Sequence, residues 1–192
     1  MISAILLAAG ESKRMGQLKQ LMPFGGSTMV EQAVDNLLSS TVDEVIVVVG
    51  YMADEVIKTL AARPVKLAVN PDYKGGMLTS IVAGLKLVHS QTNAVMLALG
   101  DQPLINSRTI DTLIAEFRQH HKSIAIPTYH GRRGHPTIFA SRYIEKLLEL
   151  KGDIGARQII KEHPDDVLEI AVSAESIIID IDTISDYHSH AG

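Results

Sequence analysis

An apolar run, "SAILLA" from Ser3 to Ala8, sits at the start of the chain, and similar runs return with helical patterns between them. "EVIVVVG" (Glu44 to Gly50), "VKLAVN" (Val65 to Asn70) and "NAVMLALG" (Asn93 to Gly100) are near-continuously apolar. Strands without polar alternation are those buried on both faces of a parallel sheet. In "TMVEQAVDNLLSS", Val30, Ala33, Val34, Leu37 and Leu38 recur at helical spacing, which gathers them on one face. The same spacing predicts helices over "DEVIKTLAA", "LTSIVAGLKLVH" and "SRTIDTLIAEFRQH", the last with Ser107 as its N-cap. This βαβα alternation implies a doubly wound α/β sheet with right-handed crossovers.

Further along the rhythm changes. "SIAIPTYHGRRGHPTIFAS" reads as two strands joined through a Gly- and Arg-containing turn. Helices over "RYIEKLLEL" and "GARQIIKEH" follow, and then short strands around "VLEIAV" and "SIIIDI". No linker, repeat or low-complexity tract interrupts the pattern, so residues 1–192 are expected to form a single domain.

Composition narrows the function. A net charge of -4 argues against a general nucleic-acid binder, which carries a basic excess. Trp is absent and aromatics are few, which disfavours a stacking platform for single strands. With no cysteine, disulfides and thiolate metal sites are excluded and a reducing compartment fits. The first apolar run has no basic leader and is too short to span a bilayer. The expectation is a soluble cytoplasmic protein without membrane or nucleic-acid partners.

In open α/β sheets ligands collect at the carboxyl ends of the strands. Four polar or Gly-rich segments fall at such ends: "AAGESKRMG", "NPDYKGGMLTS", "GDQPLI" and "DIDTISDY". The first gathers Lys13, Arg14 and, a little beyond it, Lys19. Five residues separate Gly10 from Gly16 and Gln17 follows, which breaks the Walker pattern G-x-x-x-x-G-K-[ST]. Glu11-Ser12 breaks the G-x-G opening of a dinucleotide fingerprint. The logic of an anion loop survives: glycine lets amides approach a phosphate, and Arg14 and Lys19 offset triphosphate charge. The competing reading is a solvated basic turn, which suits Lys13.

The other ends carry acids, small residues and one histidine. Asp101, after an apolar strand and Gly100, is a natural Mg²⁺ ligand or else an Asx-turn before Pro103. Asp180 and Asp182 share a face if the strand continues, and Asp182 is either a second metal carboxylate or, with Thr183, a helix cap. Gly75 and Gly76 can bring backbone close to a flat base whose edge Ser80 would meet; turn and N-cap roles compete. Arg132, Arg133 and His135 in "GRRGHP" suit an anionic second substrate, although Arg132 fits a charged hairpin tip better. Asp153 and Arg157 in "KGDIGAR" either position substrate or, for Asp153, cap the next helix. "HSHAG" reads as a frayed tail.

"LLAAGESKRMGQLKQLMPFGGSTMVEQAV" resembles the opening loop of the MobA-like nucleotidyltransferases, and of their molybdenum cofactor cytidylyltransferase branch in particular. The resemblance continues in order through "NPDYKGGMLTSIVAGL", "LGDQPLI", "RRGHPTIF", "GDIGAR" and "DIDTISDY". It implies a Rossmann-like three-layer nucleotidyltransferase fold with a mostly parallel sheet. It implies that Leu7, Ala8, Ala9 and Gly10 line the nucleotide through backbone and that Arg14 and Lys19 hold the triphosphate. Ser80, with Gly75, would lie near the base, Asp101 would bind Mg²⁺ with Asp182 nearby, and His135 would lie toward the acceptor. Guanylyl-transferring relatives read "LAGG" where this chain has "LAAG", so Ala9 moves the expected donor from GTP to CTP.

The implied reaction transfers CMP from CTP to the terminal phosphate of molybdopterin-bound molybdenum cofactor, with pyrophosphate leaving. Transient contact with a molybdoenzyme or its maturation factors would follow. Alternatives are a guanylyltransferase, a transferase for another phosphorylated acceptor, and a non-catalytic cofactor chaperone. An NAD-type oxidoreductase is disfavoured by the missing G-x-G-x-x-G.

Overall fold

The computed structural model describes residues 1–152 and 155–191. In chain order the elements begin with β1 (Ile2–Ala8), the small hairpin β2 (Pro23–Phe24) and β3 (Ser27–Thr28), α1 (Met29–Leu38), β4 (Glu44–Val49), α2 (Ala53–Thr59) and β5 (Lys66–Val69). Next come α3 (Met77–Leu85), β6 (Ala94–Leu99), α4 (Ser107–Gln119), β7 (Ile124–Tyr129), β8 (Arg132–Arg133) and β9 (Thr137–Ala140). The chain then forms α5 (Ile144–Glu149), α6 (Arg157–Glu162), β10 (Val167–Ala171) and α7 (Ile184–His190).

The main sheet runs β10-β7-β9-β6-β1-β4-β5, with β8 on β7. β1 pairs parallel with both β4 and β6, while β9 runs antiparallel between β6 and β7. The apolar runs are explained by burial on two sides. Ala4, Leu6 and Ala8 of β1 join Val45, Val47 and Val49 of β4 in the core under α1, α2 and α4. Their alternates, Ile5, Ala9, Ile46 and Val48, join the core under α3, α5 and α6. Period-two alternation therefore divides one strand between two cores, and the result is a helix–sheet–helix sandwich.

Local chemistry sets the helix ends. Thr28 Oγ1 accepts the Glu31 N–H while Glu31 accepts the Thr28 N–H at 2.8 Å, a capping box that starts α1. Asn106, not Ser107, caps α4, with its side-chain oxygen accepting the Thr109 N–H at 3.0 Å. The expected strand at "SIIIDI" is instead a 3-10 turn over Glu175–Ile178 followed by extended chain. Its backbone finds partners in loops: the Ile177 carbonyl accepts the His135 N–H and the Ile181 N–H reaches the Asp101 carbonyl. Without a strand there, Asp180 and Asp182 have no common sheet face. Asp153 lies outside the described residues.

Two glycines show how closely the layers approach. A Cβ on Gly50, just past β4, would stand 2.6 Å from Tyr73 Cβ and 2.9 Å from Ala9 Cβ. On Gly84 of α3 it would overlap the Ile5 Cγ2 methyl and sit 3.0 Å from Val48 Cγ2. Ala in place of Gly favours a helix by ~1 kcal/mol, whereas an overlap this close belongs to the upper part of the overpacking range, about 2–3 kcal/mol. Gly84→Ala is expected to lose about 1–2 kcal/mol net in urea unfolding. An unchanged or raised midpoint would show that α3 can withdraw from the sheet without penalty.

Candidate active site

The carboxyl ends of β1 and β6 open into a cavity of about 410 Å³. Its walls include Leu7, Ala9, Gly10 and Arg14 from the first loop, Tyr73, Gly76 and Ser80 before and within α3, and Asp101 and Asp182 opposite. Four segments distant in sequence thus meet on one sheet edge. The third core cluster explains how the two outer ones are held. Met15, Met22, Phe24 and Met29 pack with Ile181, so the basic loop and the C-terminal segment share an apolar anchor.

Lys19 lies at the centre. Its ammonium donates to Asp101 Oδ2 at 2.8 Å and to Asp182 Oδ1 at 2.7 Å, and its side chain is only 12% exposed. Burial alone would lower the Lys19 pKa, but Asp101 and then Asp182 outweigh it and hold the ammonium above its ordinary value. Burial likewise pushes Asp182 up, yet the hydrogen bond and charge of Lys19, helped by Arg14, hold its carboxyl below the ordinary value. Arg14 reaches Asp182 Oδ2 at 2.6 Å from a side chain that is 70% exposed, so it is free to reorient toward a ligand. Among the described residues Lys13 pairs with Glu11 alone, and it is solvated, as expected.

The two metal candidates differ. Asp101 Oδ1 is buried and has no hydrogen-bond partner among the described residues, which leaves a hard oxygen available to a divalent cation. Both oxygens of Asp182 are already engaged by Lys19 and Arg14. Thr183 and Asp186, not Asp182, form the capping box of α7. No cluster of three or more His, Asp or Glu ligands exists among the described residues, so a cation at Asp101 would complete its shell with ligand oxygens and water.

Several expected positions shift. Ala9 lines the cavity, but Ala8 faces the core and its carbonyl is consumed by Gln20. Gly76, with φ of 94°, lines the wall in place of Gly75, whose own surroundings are Thr79 and solvent. Ser80 is buried at the cavity, where its hydroxyl accepts from Asn70 Nδ2 at 3.0 Å. Arg133 turns outward to pair with Glu169 at 2.6 Å, and Arg132 is exposed at the hairpin tip. His135 does not line the cavity; it sits behind the acids, within the field of Asp180 and Asp101.

That layer behind the wall has its own polar order. Gln102 Nε2 donates to Asp180 Oδ1 at 2.7 Å. Desolvation and the like charge of Asp101 hold the Asp180 pKa above its ordinary value, against that hydrogen bond. Burial holds the His135 pKa below its ordinary value, partly opposed by Asp180 and the Leu97 carbonyl, and Nδ1 has no partner. Gln20, Tyr73 and Ser12 escaped the sequence reading. No local pattern marks Gln20, a polar residue next to another polar residue, as one that turns inward.

Residues 4–167 match the family model described as the MobA-like NTP transferase domain. The chain is 33% identical over 190 residues to the nicotine blue oxidoreductase of Paenarthrobacter nicotinovorans, which covers 95% of this chain and 93% of the relative. It is 29% identical over 187 residues to the molybdenum cofactor cytidylyltransferase of Escherichia coli strain K12, covering 97% of this chain and 93% of that one. The fold also matches the crystal structure of Rv0371c from Mycobacterium tuberculosis H37Rv in complex with manganese. The TM-score is 0.84 and the identity 27%, over 99% of this chain and 97% of the other.

An imidazole held neutral in the fold but free to protonate in the unfolded chain favours unfolding as pH drops below about 6.5. Its contribution is therefore absent at neutral pH and grows as acid is added. His135→Gln is expected to flatten the fall in thermal midpoint on that acid limb relative to the unsubstituted protein. Parallel midpoint-versus-pH curves would show that His135 protonates equally well in both states.

Proposed function

This chain belongs to the MobA-like NTP transferase family and is a nucleotidyltransferase, and on that footing we propose that its nucleotide donor is CTP and its acceptor the terminal phosphate of the molybdenum–molybdopterin cofactor. The observation that carries the choice of base is Ala9. It lines the cavity with Gly10, Ser80 and Tyr73, and its methyl lies beside the Gly50 turn. A methyl there narrows the space for a base and favours a pyrimidine over a purine. The similarity to the Escherichia coli cytidylyltransferase over nearly the full length supports the same reading.

The chain's own residues perform the positioning. A triphosphate over the first loop would meet Arg14 and Lys19, whose charges offset its own and later that of departing pyrophosphate. To do so Lys19 exchanges carboxylate contacts for phosphate contacts, and Arg14 swings from Asp182. The acceptor phosphate is already ionised at neutral pH, so attack at the α-phosphorus requires alignment and no general base. That agrees with a His135 kept behind the wall, away from the cavity. Asp101, through its free Oδ1, is the residue that would hold Mg²⁺, with Asp182 available once Lys19 has moved. A divalent cation bound there offsets phosphate charge and polarises the reacting phosphorus. Release of the dinucleotide cofactor to a molybdoenzyme or its maturation factors completes this reading.

A second reading rests on the relative named nicotine blue oxidoreductase. It would put a reduced nicotinamide cofactor in the same cavity, although the loop lacks the dinucleotide fingerprint. One set of incubations separates the readings. With Mg²⁺ and molybdenum cofactor, CTP is expected to yield pyrophosphate and the cytosine dinucleotide, with GTP at least about tenfold less effective. A preference for GTP would remove the base assignment. Saturable binding of NAD(P)H, and its oxidation by added nicotine blue as the electron acceptor without pyrophosphate release, would favour the second reading. Intact cofactor delivery by Asp101→Ala without nucleotide transfer would favour a chaperone.

Lys19→Ala is expected to lower kcat/KM for the triphosphate at least tenfold, or ~1.4 kcal/mol, the scale of a charge-assisted contact. Unchanged kinetics would mean that Lys19 serves only to bridge the two carboxylates.

A further inference from the structure

Gln20 follows Lys19 in a short 3-10 turn and is 3% exposed. Its carboxamide is spent on the first loop. Nε2 donates to the Ala8 carbonyl at 3.3 Å and to the Gly10 carbonyl at 3.2 Å, and Oε1 accepts from Ser12 Oγ at 3.1 Å. Ser12 Oγ in turn accepts the Lys19 N–H at 3.1 Å, and Ser12 sits at φ of 54°, a region that non-glycine residues seldom occupy. One side chain thus ties together the beginning, the middle and the far end of the loop.

The carbonyl count gives that tie a direction. The Leu7 carbonyl accepts from the Gly100 N–H at 2.9 Å and the Ala9 carbonyl from the Tyr51 N–H at 3.2 Å. Gln20 takes the Ala8 and Gly10 carbonyls. All four carbonyls of "LAAG" are therefore occupied, whereas the N–H groups of Ala9, Gly10 and Glu11 donate to no protein group among the described residues. Across a trans peptide the N–H of one residue points opposite to the carbonyl of the residue before it. Drawing the Ala8 and Gly10 carbonyls onto one amide turns the Ala9 and Glu11 N–H groups away from Gln20. A free carbonyl facing a phosphate would repel it; a free N–H attracts it.

We propose that Gln20 is a positioning residue that sets the polarity of the loop, so that the loop presents N–H groups rather than carbonyls to the phosphates of the nucleotide. The proposal rests on the reading that a triphosphate occupies the first loop, and it is independent of the base. Because Gln20 also adjoins Lys19, the same turn brings the loop amides and the phosphate-facing ammonium into register.

Inorganic tripolyphosphate, which carries no base, is the probe. In the unsubstituted protein it is expected to slow hydrogen exchange at the Ala9 and Glu11 amides. Gln20→Met, which keeps the side-chain length without donors, is expected to retain a cooperative thermal transition. It should bind tripolyphosphate at least about tenfold more weakly by calorimetry, with faster exchange at those two amides and cytidine affinity held within about threefold. Equal tripolyphosphate affinity in the variant would overturn the role of Gln20 while leaving the nucleotide reading intact. Parallel loss of cytidine and tripolyphosphate would also overturn it, as a general packing defect. Should the variant fail to fold, the exchange experiment on the unsubstituted protein still decides: no protection of Ala9 or Glu11 overturns the proposal. Failure of the unsubstituted protein to bind either tripolyphosphate or CTP would overturn the nucleotide reading together with it.

Discussion

One ammonium group closes the cleft. Lys19 stands between Asp101 at the end of β6 and Asp182 in the C-terminal segment, and itself belongs to the loop that follows β1. Two carboxylates facing each other across a partly desolvated space would repel. With Lys19 between them and Arg14 on the outer oxygen of Asp182, two positive charges meet two negative ones. The balance is local and exchangeable. A phosphate chain competes for the cations, and a divalent ion competes for the acids. The same group that holds the cleft together is the one a nucleotide would recruit.

The sheet makes that meeting possible. β1 lies between β4 and β6, all three parallel, so their carboxyl ends emerge on one edge. The loop after β1 has no helix or strand before its 3-10 turn at Lys19–Leu21, yet it is not loose. Methionines and Phe24 anchor it on Ile181, while Gln20 consumes its inward carbonyls. Close approach supplies the rest: Gly50 admits Ala9 and Tyr73, and Gly100 admits Ala8, where a Cβ would stand 3.1 Å from the Ala8 methyl. Small residues at strand ends bring backbone, rather than side chains, to the ligand.

Behind the cleft, Asp180, Gln102 and His135 form a layer of opposite character. There the acid is held toward its protonated form and the imidazole toward its neutral form. Asp180 does not line the cavity, so Asp101 and Asp182 are the aspartates presented there. The division explains why three aspartates lying close together do different things. Asp182 is paired, Asp101 is half paired with one free oxygen, and Asp180 is screened by an amide.

The strands and most helices were legible in the sequence because burial on both faces leaves continuous apolar runs and burial on one face leaves a helical stripe. The loop and Asp101 were legible because they follow such runs, at the edge where an open sheet places its ligands, and Lys19 and Ser80 because they lie further along the segments that leave those strands. The missing strand at "SIIIDI" was not, since apolar residues there are buried by loops and not by a ladder. Nor could periodicity choose Gly76 over Gly75, which depends on a positive φ, or place Arg133 on Glu169, 36 positions away. By itself the sequence determined the layers and the edge on which the site lies, because hydrophobic period follows secondary structure. Only the tertiary structure decided which acid keeps a free oxygen, which carbonyls Gln20 removes from the cleft and how Lys19 joins residues 82 and 163 positions away. Those are contacts between side chains that no local pattern relates.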